Sequence, residues 1–195
     1  NDLVQPEDRP RFLGRIHQEA QRLVSLINDI LGLSQLDEGA AMPRESVSLL
    51  SLAQEAAASL SAAAQAQNVT LTVNGTAGTL TGVRRLLSET VRNLCENAVK
   101  YNVPGGSITV TVAETPRAVT LTVADTGIGI PPADQSRVFE RFYRVDKSHS
   151  RAIGGTGLGL SIVKHAVACH HGTVQLDSTP GQGTVITVTL PRDTA

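Results

Sequence analysis

The 195-residue chain has no tryptophan, two tyrosines, three phenylalanines and one methionine, so aromatics reach only 3%. A core without aromatic bulk has to rest on Leu, Val, Ile and Ala. Charge of one sign is missing as well: 17 Lys and Arg stand against 18 Asp and Glu, a net charge of −1. No polybasic face offers the electrostatic footprint that nucleic acid or an anionic membrane requires, so neither is expected as the main partner. No apolar run approaches the ~18–20 residues needed to cross a bilayer, and no signal peptide opens the chain. The expected location is cytoplasmic, with any membrane attachment made through regions outside this sequence. Only two cysteines occur, Cys95 and Cys169. Both fall in helix-patterned segments without metal-type spacing, and they read as reduced structural thiols.

What is present concentrates in residues 125–160. Three punctuated pieces stand there: DTGIGI (125–130), FERFYRVD (139–146) and GGTGLGL (154–160). The alternating run 119–123 places a strand directly before Asp125. Two glycines then permit a turn too tight for a Cβ. The third piece runs into an amphipathic segment, so a glycine-rich turn opens a helix. Unpaired N–H groups and the positive end of a helix dipole converge there, which is a phosphate-binding arrangement.

Along the chain, residues 1–10 are polar and carry Pro6 and Pro10, as a connecting loop does. Residues 11–39 place Phe12, Ile16, Ala20, Leu23, Leu26, Ile27, Ile30, Leu33 and Leu36 at helical spacing, with Leu13, Val24 and Leu31 widening the stripe. Such a helix needs a partner, expected to come from another chain or from residues upstream. Gly39 and Pro43 end it. Beyond a short strand at 46–49, the pattern predicts a helix over 52–67, a strand over 68–73 turned by Asn74-Gly75, and a helix over 83–101. Strands over 107–113 and 119–124 follow. A helix over 158–171 and strands over 173–177 and 184–190 complete the order. This succession predicts an α/β two-layer sandwich, a mixed sheet with helices on one face, preceded by one long amphipathic helix. The domains expected are 1–42 and 46–192. A doubly wound dinucleotide fold is disfavoured, because its glycines would follow the first strand.

On the 83–101 helix, Asn93 and Asn97 are four residues apart and share a face, with Lys100 and Tyr101 a turn onward. Asparagine is a poor interior helix residue unless its side chain is used. A neutral amide oxygen can complete a Mg²⁺ shell, Lys100 can supply charge to a phosphate, and Tyr101 can stack on a flat base. Taken alone, the same face also reads as a solvated or hydrogen-bonded patch.

NLCENAVKY, DTGIGI, FERFYR, GGTGLGL and GQGT, in this order and spacing, resemble the asparagine, glycine and phenylalanine boxes of sensor histidine kinases. These belong to the wider superfamily of gyrase-type (Bergerat-type) ATP-binding domains. The resemblance covers about residues 46–192, and the 11–39 helix resembles the second helix of the family's dimerisation hairpin. The resemblance implies that Asp125 reads the adenine amino group, that Gly127 and Gly129 let the backbone, with Ile130, approach the base, and that Thr184 backs up Asp125. It implies Mg²⁺ on Asn97, with Asn93 beside it. Lys100 and Arg144 would face phosphates, while Tyr101 and Tyr143 would border the nucleotide. Gly155, Thr156, Gly157, Leu158, Gly159 and Leu160 would form the phosphate loop, and 146–154 the lid. The implied activity is autophosphorylation of a hairpin histidine from Mg-ATP in a homodimer, with relay to an aspartate of a response-regulator receiver domain.

Two departures carry weight. Gyrase-like hydrolases place a glutamate base four residues before the metal-binding asparagine; here that residue is Asn93, whose amide cannot take a proton at neutral pH. Glu89 and Glu96 read as surface charges. The acceptor box of the family, His-Glu followed by proline, is absent, so the acceptor is expected outside this chain. His17, His149, His165, His170 and His171 lack that context, and His165 and His170 are off-register for a shared metal. Two rival readings remain: a gyrase-type ATP hydrolase or clamp, and a non-catalytic ATP-binding dimerisation module. Half a hairpin is expected to dimerise weakly or not at all.

Overall fold

Alternation of Val, Ile and Leu with Thr makes the strands two-faced. In a computed structural model, β4 (Ser107–Glu114), β5 (Ala118–Asp125) and β7 (Gly183–Pro191) bury Ile108, Val110, Val112, Val119, Leu121, Val123, Ile186, Val188 and Leu190, while Thr109, Thr111, Thr120, Thr122, Thr187 and Thr189 take the other face. The structure describes residues 42–145 and 156–192, and within 1–41 only Arg9, 12–14, Ile16, Ala20, Leu23, Val24 and Ile27.

The remaining elements are β1 (Glu45–Ser48), α1 (Leu49–Ala66), β2 (Thr70–Gly75), β3 (Thr79–Gly82), α2 (Arg84–Lys100), α3 (Pro132–Gln135), α4 (Gly159–Cys169) and β6 (Thr173–Thr179). A five-stranded sheet has the order β2-β4-β5-β7-β6, and β1 pairs with β3 in a separate two-stranded sheet. Only the β2–β4 pair of the larger sheet is parallel, with α2 in the crossover between them; the other pairs are antiparallel. Helices α1, α2 and α4 pack on the apolar face. The mixed sheet with helices on one face is the expected two-layer sandwich.

Local physics explains the helix ends. Ser48 caps α1, its hydroxyl accepting from the Ser51 N–H at 3.3 Å. Val83, at the start of α2, has no side chain able to cap. His170 supplies the acceptor instead: its Nε2 takes the Val83 N–H at 2.9 Å, and its Nδ1 donates to the Ala166 carbonyl at 2.7 Å. Burial pushes the His170 pKa down, opposed in part by the Ala166 bond and reinforced by Arg44 and His171.

Two local expectations are corrected, and two short elements show no sequence period. Asn74-Gly75 is no turn: both residues belong to β2 and pair with Thr111 and Val112, Gly75 at φ +124°. The short strand β3 and the one-turn helix α3 carry too few residues to show a period. Cys95 is buried as a structural thiol should be, with its pKa pushed up to about 12 chiefly by desolvation, but Cys169 is exposed.

The chain divides into two units, Ala41–Val145 with Gly157–Ala195, and Asn1–Ala40 with Asp146–Thr156. In the second, every described residue between 9 and 27 is helical and exposed, including Phe12 and Ile16. The rest of the predicted 11–39 helix, the whole of the predicted lid and Gly155 lie outside the described residues.

Candidate functional site

The ladder between β5 and β7 ends by setting Asp125 opposite Thr184. Asp125 Oδ1 accepts from the Gly127 N–H at 2.8 Å and from the Thr184 N–H at 3.3 Å. Partial burial raises the Asp125 pKa, and these two N–H bonds offset part of that rise. Oδ2 has no hydrogen-bond partner among the described residues. The loop after Asp125 is fastened at several points. Ile128 N–H donates to the Tyr101 carbonyl at 3.0 Å, and Gly181 N–H donates to the Ile128 carbonyl at 2.8 Å. The glycines answer to the protein's own backbone. A Cβ on Gly127 would sit 2.3 Å from the Tyr101 carbonyl oxygen, and one on Gly129, at φ +68°, 2.2 Å from that of Thr179.

Two contacts fix the directions of α2 and α4. His170, just past the end of α4, meets Val83 at the start of α2. Gly159, the first residue of α4, lies against Asn93, ten residues along α2; a Cβ there would come within 2.7 Å of Asn93 Oδ1. The helices are therefore antiparallel. Asn97, one turn and ~6 Å beyond Asn93, extends in front of the start of α4. Among the described residues no side chain caps that start, an arrangement that suits an anion at the first-turn amides. Asn93 is held in place by its Nδ2 donating to the Glu89 carbonyl at 2.8 Å. The side chain of Asn97 makes no hydrogen bond among the described residues.

At the same end of α2, Lys100 Nζ lies 5.5 Å from the Tyr101 ring centroid. Burial raises the Tyr101 pKa, and the nearby positive charge of Arg144 lowers it in part. Arg144 has Nε and Nη2 buried with no hydrogen-bond partner among the described residues. A buried guanidinium with idle donors is costly unless an anion meets it.

The second and third motifs join where Phe142 N–H donates to the Gly157 carbonyl at 2.9 Å. Both residues sit at positive φ, Phe142 at +64° and Gly157 at +76°. Leu158 is fully buried behind the start of α4, and Leu160 packs against the core. The Tyr143 hydroxyl donates to Asp134, and Arg137 stacks over its ring at 4.2 Å. Thr156 belongs to the other unit. Glu89 and Glu96 pair with Arg85 and Arg92 at 3.2 and 3.6 Å, as surface charges do. Among the histidines, His170 is structural, while His17 and His149 lie outside the described residues.

Sequence reading missed Ser178 and Gln135. Ser178 Oγ accepts the Ile130 N–H at 2.8 Å, and Gln135 Nε2 donates to the carbonyls of Ile130 at 2.9 Å and Ser178 at 2.7 Å. Nothing in their own sequence neighbourhood marks them, because both act on backbone distant in the chain.

Residues 82–194 match the family described as histidine kinase-, DNA gyrase B-, and HSP90-like ATPase. The sensor-like histidine kinase SenX3 of Mycolicibacterium smegmatis is 37% identical over 188 residues, covering 95% of this chain and 49% of that protein. The chain thus spans about half the length of this curated relative. The mycobacterial sensor histidine kinase MprB superposes with a TM-score of 0.65 at 30% identity, over 76% of this chain and 97% of that one. Full-length ShkA, in complex with AMPPNP, superposes with a TM-score of 0.80 at 27% identity, over 98% of this chain and 40% of that one. With an acid at a strand end, a glycine-bound loop and an uncapped helix start gathered in one unit, these likenesses place the chain in the histidine kinase-, DNA gyrase B- and HSP90-like ATPase family, as the catalytic ATP-binding domain of a sensor histidine kinase.

Proposed function

We propose that this chain supplies the phosphoryl-donating half of a two-component histidine autokinase. In this reading Asp125 Oδ2 accepts from the adenine amino group, and the phosphates run toward the start of α4 and Arg144. The observation that carries it is the half-buried Arg144 side chain near Tyr101 at the end of α2, whose Nε and Nη2 are buried without a hydrogen-bond partner among the described residues. A polyphosphate supplies the anion that this charge lacks.

Asn97 fits a Mg²⁺ ligand: it offers a neutral oxygen in front of α4. Among the described residues no group of three or more His, Cys, Asp or Glu could hold a metal by itself. Asn97 would hold a Mg²⁺ ion together with phosphate and water oxygens. When bound, it neutralises charge on the transferring phosphoryl. The protein's part is positioning and charge stabilisation, not proton abstraction. The back-bonded amide of Asn93 offers no base to a water molecule, which favours transfer over hydrolysis. The γ-phosphoryl passes to a histidine on a dimerisation hairpin, in a homodimer, and then to a receiver-domain aspartate of a response regulator. The working compartment is the cytoplasm, with any membrane attachment outside this chain.

The test is phosphotransfer to a hairpin carrying the His-Glu acceptor box, added to the protein with Mg-ATP. Labelled phosphohistidine is expected with the native protein and not with Asn97→Ala. Steady phosphate release without acceptor would favour hydrolysis, and unchanged transfer by Asn97→Ala would remove the metal role.

A further inference from the structure

Ser178 lies on β6, paired across the ladder with Thr184 of β7, which in turn stands opposite Asp125 of β5. Its hydroxyl has three neighbours. The Ile130 N–H donates to it at 2.8 Å, it reaches the Gly183 carbonyl at 2.9 Å, and Thr184 Oγ1 lies at 2.8 Å. A hydroxyl has one proton and two lone pairs. An N–H can only donate and a carbonyl can only accept. The Ser178 proton is therefore committed to Gly183, and one lone pair to Ile130. What remains for Thr184 is the second lone pair, so the Thr184 hydroxyl donates to Ser178.

Thr184 is buried, and its hydroxyl proton is used in this way. It presents only lone pairs to anything else. Beside it, Asp125 offers a carboxylate whose Oδ2 has no partner among the described residues. The pair forms a patch of acceptors without a donor. Gln135 keeps the arrangement in register, because its amide nitrogen bonds the carbonyls of both Ile130 and Ser178. Two carbonyl partners also fix which way that amide faces.

We infer that Ser178 is a specificity-determining positioning residue: it holds the Thr184 hydroxyl as an acceptor, so that the cleft selects a purine with an amino group at position 6 over a 6-oxo purine. This rests on the nucleotide reading proposed above. An amino group donates to both acceptors, whereas a 6-oxo group meets lone pairs with lone pairs. Discrimination from such a mismatch exceeds what a lost contact alone gives. Removing the Ser178 hydroxyl frees Thr184 to rotate and donate.

The experiment measures ADP and IDP binding to the whole chain by calorimetry. The native protein is expected to prefer ADP. Ser178→Ala should lower the ADP-to-IDP affinity ratio by about tenfold, mainly by improving IDP relative to ADP. Ser178→Thr should restore the ratio. In a Thr184→Val background, where no hydroxyl remains to be turned, Ser178→Ala should leave the ratio unchanged. A structural defect would weaken both nucleotides together and would not be sensitive to the residue at 184. An unchanged ratio in Ser178→Ala, with ADP still bound, overturns the inference alone. Should Ser178→Ala fail to fold, Thr184→Val by itself decides: a ratio equal to the native one overturns the inference, and a reduced one supports it. Failure of the native protein to bind ADP overturns the nucleotide reading, and the inference with it.

Discussion

Replacing His170 by alanine should destabilise the protein strongly, although no part of the ligand cleft is touched. The imidazole is 3% exposed and bridges the end of α4 to the start of α2. Its loss leaves the Val83 N–H without an acceptor at a helix start, a cost of about 1–2 kcal/mol, comparable to deleting an N-cap. The cavity adds roughly 1–2 kcal/mol more. A total of about 2–4 kcal/mol corresponds to a fall in melting temperature of roughly 5–15 °C for a domain of this size. Urea and thermal unfolding at pH 7.5 measure it. The pH dependence gives a second reading of the same contact. The neutral imidazole is the form the fold uses, and its folded pKa is lowered. The stabilisation is therefore complete above the unfolded histidine value of about 6.5 and is lost as pH falls from there toward the folded value. The native-minus-His170→Ala stability difference should shrink as pH drops from 7.5 to 5.5. A difference below about 0.5 kcal/mol at pH 7.5, or one that grows on acidification, would refute the reasoning.

Gly129→Ala should cost about 1–3 kcal/mol in unfolding, because its positive φ and the Thr179 carbonyl both oppose a Cβ. It should also weaken ADP binding through the displaced loop; native stability would contradict this. Arg144→Met should leave the ligand-free protein as stable as before, or more so, since it removes a cation with two buried donors that have no partner among the described residues. The same variant should lose affinity for AMPPNP by about tenfold or more in calorimetry. A marked drop in melting temperature without nucleotide would show that the guanidinium has a protein partner.

The main sheet was legible because its strands alternate Val, Ile or Leu with Thr, a pattern that leaves one face to bury. Asp125 was legible for a related reason: an acid at the end of such a run, followed by two glycines, has few structural uses. The glycines themselves were located but not fully explained. Their small size answers first to the carbonyls of Tyr101 and Thr179, which are 26 and more residues away in the chain. Non-local contacts of that kind also hid Ser178, Gln135 and the capping role of His170. Each bonds backbone that only the fold brings near. Asn74-Gly75 misled because a dipeptide with strong turn chemistry was overridden by parallel pairing with β4. The bond of the Tyr143 hydroxyl to Asp134 is not legible in the sequence, because the motif marks the residue and not its partner.

The most direct test of the account is a crystal structure of the protein soaked with AMPPNP and Mg²⁺. The adenine amino group is expected within hydrogen-bond distance of Asp125 Oδ2, with the phosphates before the start of α4 and within reach of Asn97 and Arg144. A purine seated away from Asp125, or a cleft left empty at saturating nucleotide, would contradict it.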